Sequence, residues 1–165
     1  PRLGGIIDRV VTVSGPGIEK PGNYLVPIGT PIQFLLKQAG LRDTATEVLL
    51  GGPMAGIVAA RTDAPVTKNL NGLVALTADE PFRANGKSLP CIKCGECIET
   101  CPVNLNPSQL HLFAREGNAE VMAKELFLFD CIECGCCNYV CPSNIPLVQE
   151  FRAAKSAVRR SKTAS

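Results

Sequence analysis

The spacing of apolar and polar residues divides this chain into a first part rich in predicted strands and a second part rich in predicted helices. In the first part, short runs of valine, isoleucine and leucine are separated by glycine and proline turns, a pattern typical of strands. One helix is predicted among them, with Thr30 as its N-cap, Pro31 at its first position and Gln33 completing a capping box. The predicted strands cover residues 5–13, 24–26, 48–50 and 73–76.

From about residue 89 onward, apolar residues recur three and four positions apart, which is the period of an α-helix. One predicted helix begins with Asn106 as its N-cap and Pro107 at its first position. A second covers residues 119–128, and a third begins near Pro146. A segment rich in proline, glycine and polar residues separates the two parts. We therefore predict a first domain over residues 1–80, a linker over 81–90, a helical domain over 91–160 and a tail over 161–165.

Composition and charge narrow the class of protein. The 165 residues carry a formal net charge of +2 and are 45% hydrophobic, which suits one or two soluble domains without a membrane span of their own. The chain shows no secretory signal, and it begins at Pro1 with a strand following at once, so we expect an upstream part to be missing. Basic residues are not interleaved with aromatic ones, which argues against a nucleic-acid partner. The five basic residues after position 145 are more typical of a solvated helix face than of a membrane-binding tail.

Eight of the nine cysteines form two copies of the run C-x2-C-x2-C-x3-C-P, offset by 40 positions. Over residues 91–104 and 131–144, eight of fourteen positions are identical between the copies. This run holds [4Fe–4S] clusters in bacterial ferredoxins, where the fourth cysteine of each copy binds the other cluster. The predicted ligands are Cys91, Cys94, Cys97 and Cys141 for cluster 1, and Cys131, Cys134, Cys137 and Cys101 for cluster 2.

Other interpretations of the cysteines are disfavoured. Zinc needs four ligands in all and would leave the third and fourth cysteine of each run without a role. A disulfide framework suits a small secreted domain, whereas this spacing indicates a reducing compartment. Helices predicted between Cys101 and Cys131 favour an α-helical ferredoxin domain over a compact β-rich one.

Three further features are predicted to be structural. Cys136 aligns with Glu96 in the repeat, so we expect it to be a small buried hydrophobic residue and not a ligand. His111, the single histidine, is expected to serve packing or the surface, because all ligand positions are already filled. The glycine-rich residues 51–56 match neither a P-loop nor a dinucleotide-binding loop and indicate a tight turn.

The first part of the chain resembles an SLBB (soluble-ligand-binding β-grasp) domain. The resemblance is carried by residues 13–15, 20–24, 27–31 and 38–40. With the glycine-rich segment and the doubled cysteine run behind it, the whole order is similar to that of the C subunits of the Rnf (Rsx) electron-transport complexes. The resemblance implies an α+β fold, in which a small β-grasp domain precedes an α-helical ferredoxin domain with two [4Fe–4S] clusters.

In that family the parent chain also has an upstream domain that binds FMN and NADH, whose motifs are not in this sequence. The resemblance implies a peripheral subunit on the cytoplasmic side of the bacterial inner membrane. Its partners would be the other subunits of an electron-transport complex, a ferredoxin-like subunit among them. Such a complex is an ion-translocating oxidoreductase that exchanges electrons between NADH or flavin and ferredoxin. Within it, this chain would be an electron carrier without catalytic residues of its own.

Two other functions are compatible with the same order of domains. The chain resembles the cobalamin-reductase subunit of propanediol-utilising microcompartments, which would make it part of an enzyme that reduces a corrinoid. It could also be a docking module, in which the β-grasp domain holds a partner or soluble ligand and the clusters are passive.

Overall fold

The computed structural model describes residues 5–79 and 87–163, and the chain forms two compact units, residues 1–83 and 84–165. Residues 81–86 of the predicted linker lie outside the described residues. Residues 87–95 form no helix or strand. The domain boundaries drawn from the sequence remain predictions.

The first unit is built on one five-stranded mixed sheet with the strand order β2-β1-β5-β3-β4. Strands β1 and β5 are parallel, and the other neighbouring pairs are antiparallel. The four predicted strands are present, each with shifted ends, and the two-residue strand β4 was not predicted. The strands are β1 (Asp8–Ser14), β2 (Gly22–Pro27), β3 (Ala45–Leu50), β4 (Ile57–Val58) and β5 (Gly72–Thr77).

Helix α1 (Ile32–Gln38) begins one residue later than the sequence predicts. The prediction of Thr30 as N-cap is wrong, because Pro31 is itself the N-cap, with an extended ψ of 133° and no side-chain cap. The first two helical N–H groups instead donate to the carbonyls of Thr62 and Ala64, at 2.7 and 2.9 Å. A loop distant in sequence therefore replaces the capping box, which local sequence signals do not reveal.

The buried face of α1 and the inner face of the sheet form the hydrophobic core of this unit. Alternate residues of β1 are buried, as expected of a strand with one face in a core. The glycine-rich segment is a tight turn between β3 and β4, where the Gly56 N–H donates to the Gly52 carbonyl at 2.7 Å. The core residues are Val11, Val13, Ile18, Val26, Ile32, Leu35, Leu36, Ala39, Val48, Val66, Leu70, Leu73 and Ala75.

The second unit is helical, and its three longest helices, α3, α4 and α6, pack against one another. As predicted, Pro107 begins α3 and Asn106 caps it, with the Asn106 side chain accepting from the Gln109 N–H at 3.0 Å. The helices are α2 (Glu96–Glu99), α3 (Pro107–Arg115), α4 (Ala119–Lys124), α5 (Cys136–Tyr139) and α6 (Leu147–Thr163).

Two helix ends in this unit differ from the sequence-based expectation. Helix α4 stops at Lys124 instead of continuing to residue 128, and Phe127 adopts a positive φ of 53° before a short 3-10 turn, Leu128–Asp130. Helix α6 continues to Thr163, three residues into the segment predicted as a tail. The core between these helices consists of Leu105, Leu110, Met122, Leu128, Cys137, Ile145, Leu147, Val148, Phe151 and Ala154.

Candidate metal centre

The two cysteine runs fold into the same backbone shape. Each begins with a loop in which the third residue has a positive φ, 56° at Lys93 and 57° at Glu133. Each continues with a glycine at positive φ, 88° at Gly95 and 86° at Gly135, which is the N-cap of a four-residue helix. Glycine is suited to this position because it has no Cβ to clash in the left-handed region. The sequence repeat is therefore also a structural repeat.

The first cavity lies beside the first run and is open to solvent. Three of its cysteines, Cys91, Cys94 and Cys97, come from this run, and the fourth, Cys141, comes from the other run. Cys94 is exposed, and the other three are half-buried. The structure therefore brings together the four cysteines predicted for cluster 1.

The second cavity is the counterpart of the first and is likewise open to solvent. It is lined by Cys131, Cys134 and Cys137 of the second run and by Cys101 of the first. The Sγ of Cys101 accepts a hydrogen bond from the Leu105 N–H at 3.4 Å. These are the four cysteines predicted for cluster 2.

In each set, the thiols surround a cavity instead of meeting at one point. Within residues 5–79 and 87–163, no group of three or more histidine, cysteine, aspartate or glutamate side chains converges on a site for a single metal ion. Four sulfur donors around a cavity match the donor set of an iron–sulfur cluster, which is ligated by four cysteine thiolates.

Burial and mutual repulsion raise the pKa of several of these thiols. Burial raises the pKa of Cys137 to about 12, and the neighbouring thiolates of Cys131 and Cys134 add to the increase. Burial, followed by the charges of Cys91 and Cys94, likewise raises the pKa of Cys97. Bound iron stabilises thiolates, so metal binding at these sites releases protons.

The structure corrects the expectation for Cys136. This residue is half-buried and not a buried hydrophobic side chain, and it lines the second cavity. A hydrogen bond with Cys134 is the main cause that raises its pKa. The sequence repeat separated Cys136 from the predicted ligands but carried no information on burial, and its counterpart Glu96 likewise lines the first cavity.

Two groups of residues near the cavities were not predicted from the sequence. His111 is 4% exposed, lines the first cavity, and its Nδ1 lies 2.6 Å from Oε2 of Glu150. Of the two roles expected for His111, packing agrees with its burial and a place at the surface does not, and neither expectation included its partner Glu150. The 40-residue comparison, if extended beyond Asn144, aligns His111 with Phe151. A polar residue in one copy and an apolar residue in the other is a signal that could have pointed to His111.

The second group is an ion network behind the second run. The Lys155 Nζ is buried and donates to the Cys131 carbonyl at 2.6 Å and to Glu133 at 2.8 Å. The Arg152 Nε donates to the other carboxylate oxygen of Glu133 at 2.8 Å. Burial opposes ionisation of Glu133, but the hydrogen bonds from Lys155 and Arg152 prevail and hold its pKa below the usual range. The network ties α6 to the backbone of a predicted ligand.

No helix in the described part of the chain is both long and apolar enough to cross a membrane.

Comparison with known proteins agrees with this architecture. Residues 10–58 match the family model of the SLBB domain, and residues 87–145 match that of the 4Fe-4S dicluster domain. The α+β fold predicted from the sequence, a β-grasp domain followed by a helical two-cluster domain, is confirmed. The dicluster match also supports iron–sulfur clusters as the cofactor.

Three relatives share most of the chain, and each is named as the C subunit of an ion-translocating oxidoreductase complex. The Rhodobacter capsulatus protein is 48% identical over 151 residues, which are 91% of this chain and 28% of that protein. The Pseudomonas aeruginosa protein is 46% identical over 159 residues, 95% of this chain and 20% of that protein. The Yersinia enterocolitica protein is 47% identical over 158 residues, 93% of this chain and 22% of that protein.

The chain thus spans between 20% and 28% of the length of these relatives. Its two units correspond in order and kind to the two domains that the family models match. Over the part that it shares with them, the chain is similar to the C subunits of ion-translocating oxidoreductase complexes.

Proposed function

We propose that this chain relays electrons through two [4Fe–4S] clusters, with no catalytic residue of its own. The carrying observation is that the eight cysteines line two cavities, four to each, and that each set takes three cysteines from one run and the fourth from the other. When bound, such clusters supply one-electron redox chemistry. The crossed fourth ligands, Cys101 and Cys141, bind the two runs into one centre.

The protein's part in this function is to hold the clusters close together and partly shielded from water. Helices α2 and α5, which follow the two loops, pack against each other. Cys97 of the first set is near enough to Cys137 of the second that its charge adds to the increase in the pKa of Cys137. Short separation favours electron transfer between the two sites, so this arrangement suits a relay.

The family relationship supports a wider setting for the relay. We propose that the chain works within an ion-translocating oxidoreductase complex, bound to other subunits, a ferredoxin-like one among them. In this proposal it lies at the cytoplasmic side of the bacterial inner membrane, and FMN and NADH bind to an upstream part of the whole protein. The comparisons do not favour the two alternatives, a corrinoid-reducing subunit and a docking module with passive clusters.

Metal analysis of the anaerobically reconstituted chain tests the cluster assignment. We expect about eight irons and eight acid-labile sulfides per chain, since each of two clusters holds four of each. Full reduction is expected to produce a pair of interacting electron paramagnetic resonance signals. Four irons per chain, or bound zinc in place of iron, would contradict the proposal.

Two adjacent cysteines provide a matched pair of variants for the same analysis. Cys136→Ser is expected to keep about eight irons, because the repeat leaves this residue outside the ligand set. Cys137→Ser is expected to lose the second cluster, because it removes one of four thiolate ligands. Equal iron loss in both variants would show that Cys136 is also a ligand.

A further inference from the structure

The two cavities are related by the 40-residue repeat, but their linings differ in polarity. Positions on α3 that line the first cavity, Ser108 and His111, correspond to Val148 and Phe151 on α6, which line the second. Glu150, the partner of His111, is likewise a polar residue whose counterpart in the repeat, Leu110, is apolar. The polar pair His111–Glu150 therefore occupies the place that an apolar pair, Phe151 and Leu110, holds in the other half.

His111 is a buried polar side chain of the first cavity whose hydrogen bonding is incomplete. The hydroxyl groups of Ser108 and Ser143 already donate to the Asn106 side chain and to the Pro90 carbonyl, at 2.8 and 3.0 Å. In His111, Nδ1 shares a hydrogen bond with Oε2 of Glu150 across 2.6 Å. Nε2 has no partner among the described residues, although the residue is 4% exposed. A buried ring nitrogen without a partner is costly, which indicates a partner in the cavity.

We propose that His111 donates an Nε2–H hydrogen bond to cluster 1 and makes it the higher-potential cluster of the two. Cluster sulfur and thiolate sulfur are acceptors, so a donor is the form of Nε2 that fits beside them. Nδ1 and the Glu150 carboxyl share a hydrogen bond on the other side of the ring, which leaves Nε2 as the ring nitrogen available to donate toward the cavity. Hydrogen bonds to sulfur stabilise the more negative, reduced state and so raise the reduction potential.

Exposure of the ligands also raises the reduction potential of cluster 1 relative to that of cluster 2. The first set includes the exposed Cys94, whereas the second includes the buried Cys137. Water stabilises the extra negative charge of a reduced cluster, so the more exposed site has the higher potential. Lys155 and Arg152 oppose this order from the second site, and Glu133, which pairs with each of them at 2.8 Å, compensates one of their two positive charges. We therefore expect the first electron to reside at cluster 1.

This inference depends on the proposed occupancy of both sites by clusters. The test below distinguishes a failure of the inference from a failure of that occupancy. In a redox titration at fixed pH, the native chain should give two midpoint potentials. The double variant H111F/E150L copies the Phe151 and Leu110 pair into the first half. It is expected to keep about eight irons, since the ligands are untouched, and to lower the higher potential while the lower one stays in place. Unchanged potentials in the variant, or a shift of the lower one, would refute the inference, whereas fewer irons in the native chain would refute the proposed occupancy.

A conservative variant separates the hydrogen bond from packing. Glutamine at position 111 can present an amide N–H near the place of Nε2, so H111Q is expected to keep the higher potential closer to its native value than H111F/E150L does. A potential in H111Q as low as in H111F/E150L would contradict a role for the N–H donor.

A spectroscopic measurement on the native chain does not depend on any variant. The chain has a single histidine, so imidazole-15N-labelled histidine reports on His111 alone. We expect pulsed electron paramagnetic resonance to detect a 15N coupling in the half-reduced chain, because the first electron resides at cluster 1. A coupling that appears only after the second electron would reverse the order of potentials. The complete absence of a coupling would refute the hydrogen bond.

Discussion

At the scale of single residues, the backbone of the metal centre depends on unusual conformations at matching positions. Lys93, Glu133, Asn104 and Asn144 have φ between 50° and 57°, although none is a glycine. Each such residue costs about 1–2 kcal/mol relative to the right-handed conformation. The repetition of the same conformations in both runs indicates that ligand geometry requires them, because unrelated strain would not recur at equivalent positions.

Gly15 is the residue of the first unit whose replacement we expect to be most damaging. It follows β1 with a φ of 108°, and a Cβ there would lie 2.2 Å from the Ala75 carbonyl oxygen. Because that oxygen belongs to the backbone of β5, it cannot move aside cheaply. Gly15→Ala is therefore expected to lower the free energy of unfolding by about 3 kcal/mol, measured by urea denaturation of the first unit.

Gly29 offers a matched control for this substitution. Its φ of 98° is similar, but a Cβ there would meet nothing within 4 Å. Gly29→Ala carries the backbone cost alone, and we expect it to destabilise by about 1 kcal/mol. An equal loss of stability in the two variants would mean that the contact with Ala75 is unimportant.

At the scale of elements, α6 is the helix that organises the second unit. It packs against α3, α4 and α5, and it contributes Glu150, Arg152 and Lys155 to the surroundings of the two cavities. Its apolar residues enter the core, whereas Glu150 contacts His111 and Lys155 contacts the second run. A helix after the last cysteine thus contacts both sites, which links their stability to its own.

Lys155 is the residue through which α6 holds the second run. Lys155→Met keeps the aliphatic part of the side chain but removes the donors to Cys131 and Glu133. We expect the free energy of unfolding to fall by about 2 kcal/mol, because the Cys131 carbonyl loses the Lys155 donor and the half-buried Glu133 carboxylate keeps only Arg152. Urea denaturation followed by far-ultraviolet circular dichroism measures the change.

The exposed pair of Lys124 and Glu120 is the control for this variant. Its side chains are 75% and 69% exposed, so its ion pair is screened by water. Lys124→Met is expected to change the free energy of unfolding by no more than about 0.5 kcal/mol. If Lys155→Met is equally mild, the buried network does not hold the run in place.

At the scale of the whole molecule, the two units differ in how much they depend on metal. The core of the first unit contains apolar side chains of the sheet and of α1 and no cysteine. The core of the second includes Cys137, and Cys91, Cys97, Cys101, Cys131 and Cys141 pack against it. A metal bound by cysteines adds its binding free energy to folding, so the second unit should depend on its clusters and the first should not.

The two tyrosines allow this difference to be measured, since Tyr24 lies in the first unit and Tyr139 in the second. In Tyr139→Phe, a mild change at a site that is 74% exposed, tyrosine fluorescence reports on the first unit alone. Removal of iron by a chelator is expected to leave the unfolding midpoint at Tyr24 unchanged and to reduce the helical circular dichroism signal. A lower midpoint at Tyr24 after iron removal would show that the units unfold together.

The sequence by itself determined the type of chemistry and most of the elements. The spacing of the cysteines is a local property, and it indicated which eight residues would surround two sites before any fold was known. Periodicity located four strands and α3, because burial on one face of an element leaves a regular pattern. The cap of α3 was also readable, since Asn106 and the Gln109 N–H that donates to its side chain are three residues apart.

Tertiary structure decided the features that depend on residues distant along the chain. Three of these features join positions separated by about 20 to 40 residues. They are the loop that caps α1, the hydrogen bond of Lys155 to Cys131 and the pairing of His111 with Glu150. Local patterns carry no record of such contacts, because each partner taken alone resembles an ordinary polar surface residue. Cys136 differs from these features, since it lines the second cavity just as Glu96, its counterpart in the repeat, lines the first. The two linings, one polar and one apolar, therefore become apparent only once the chain is folded.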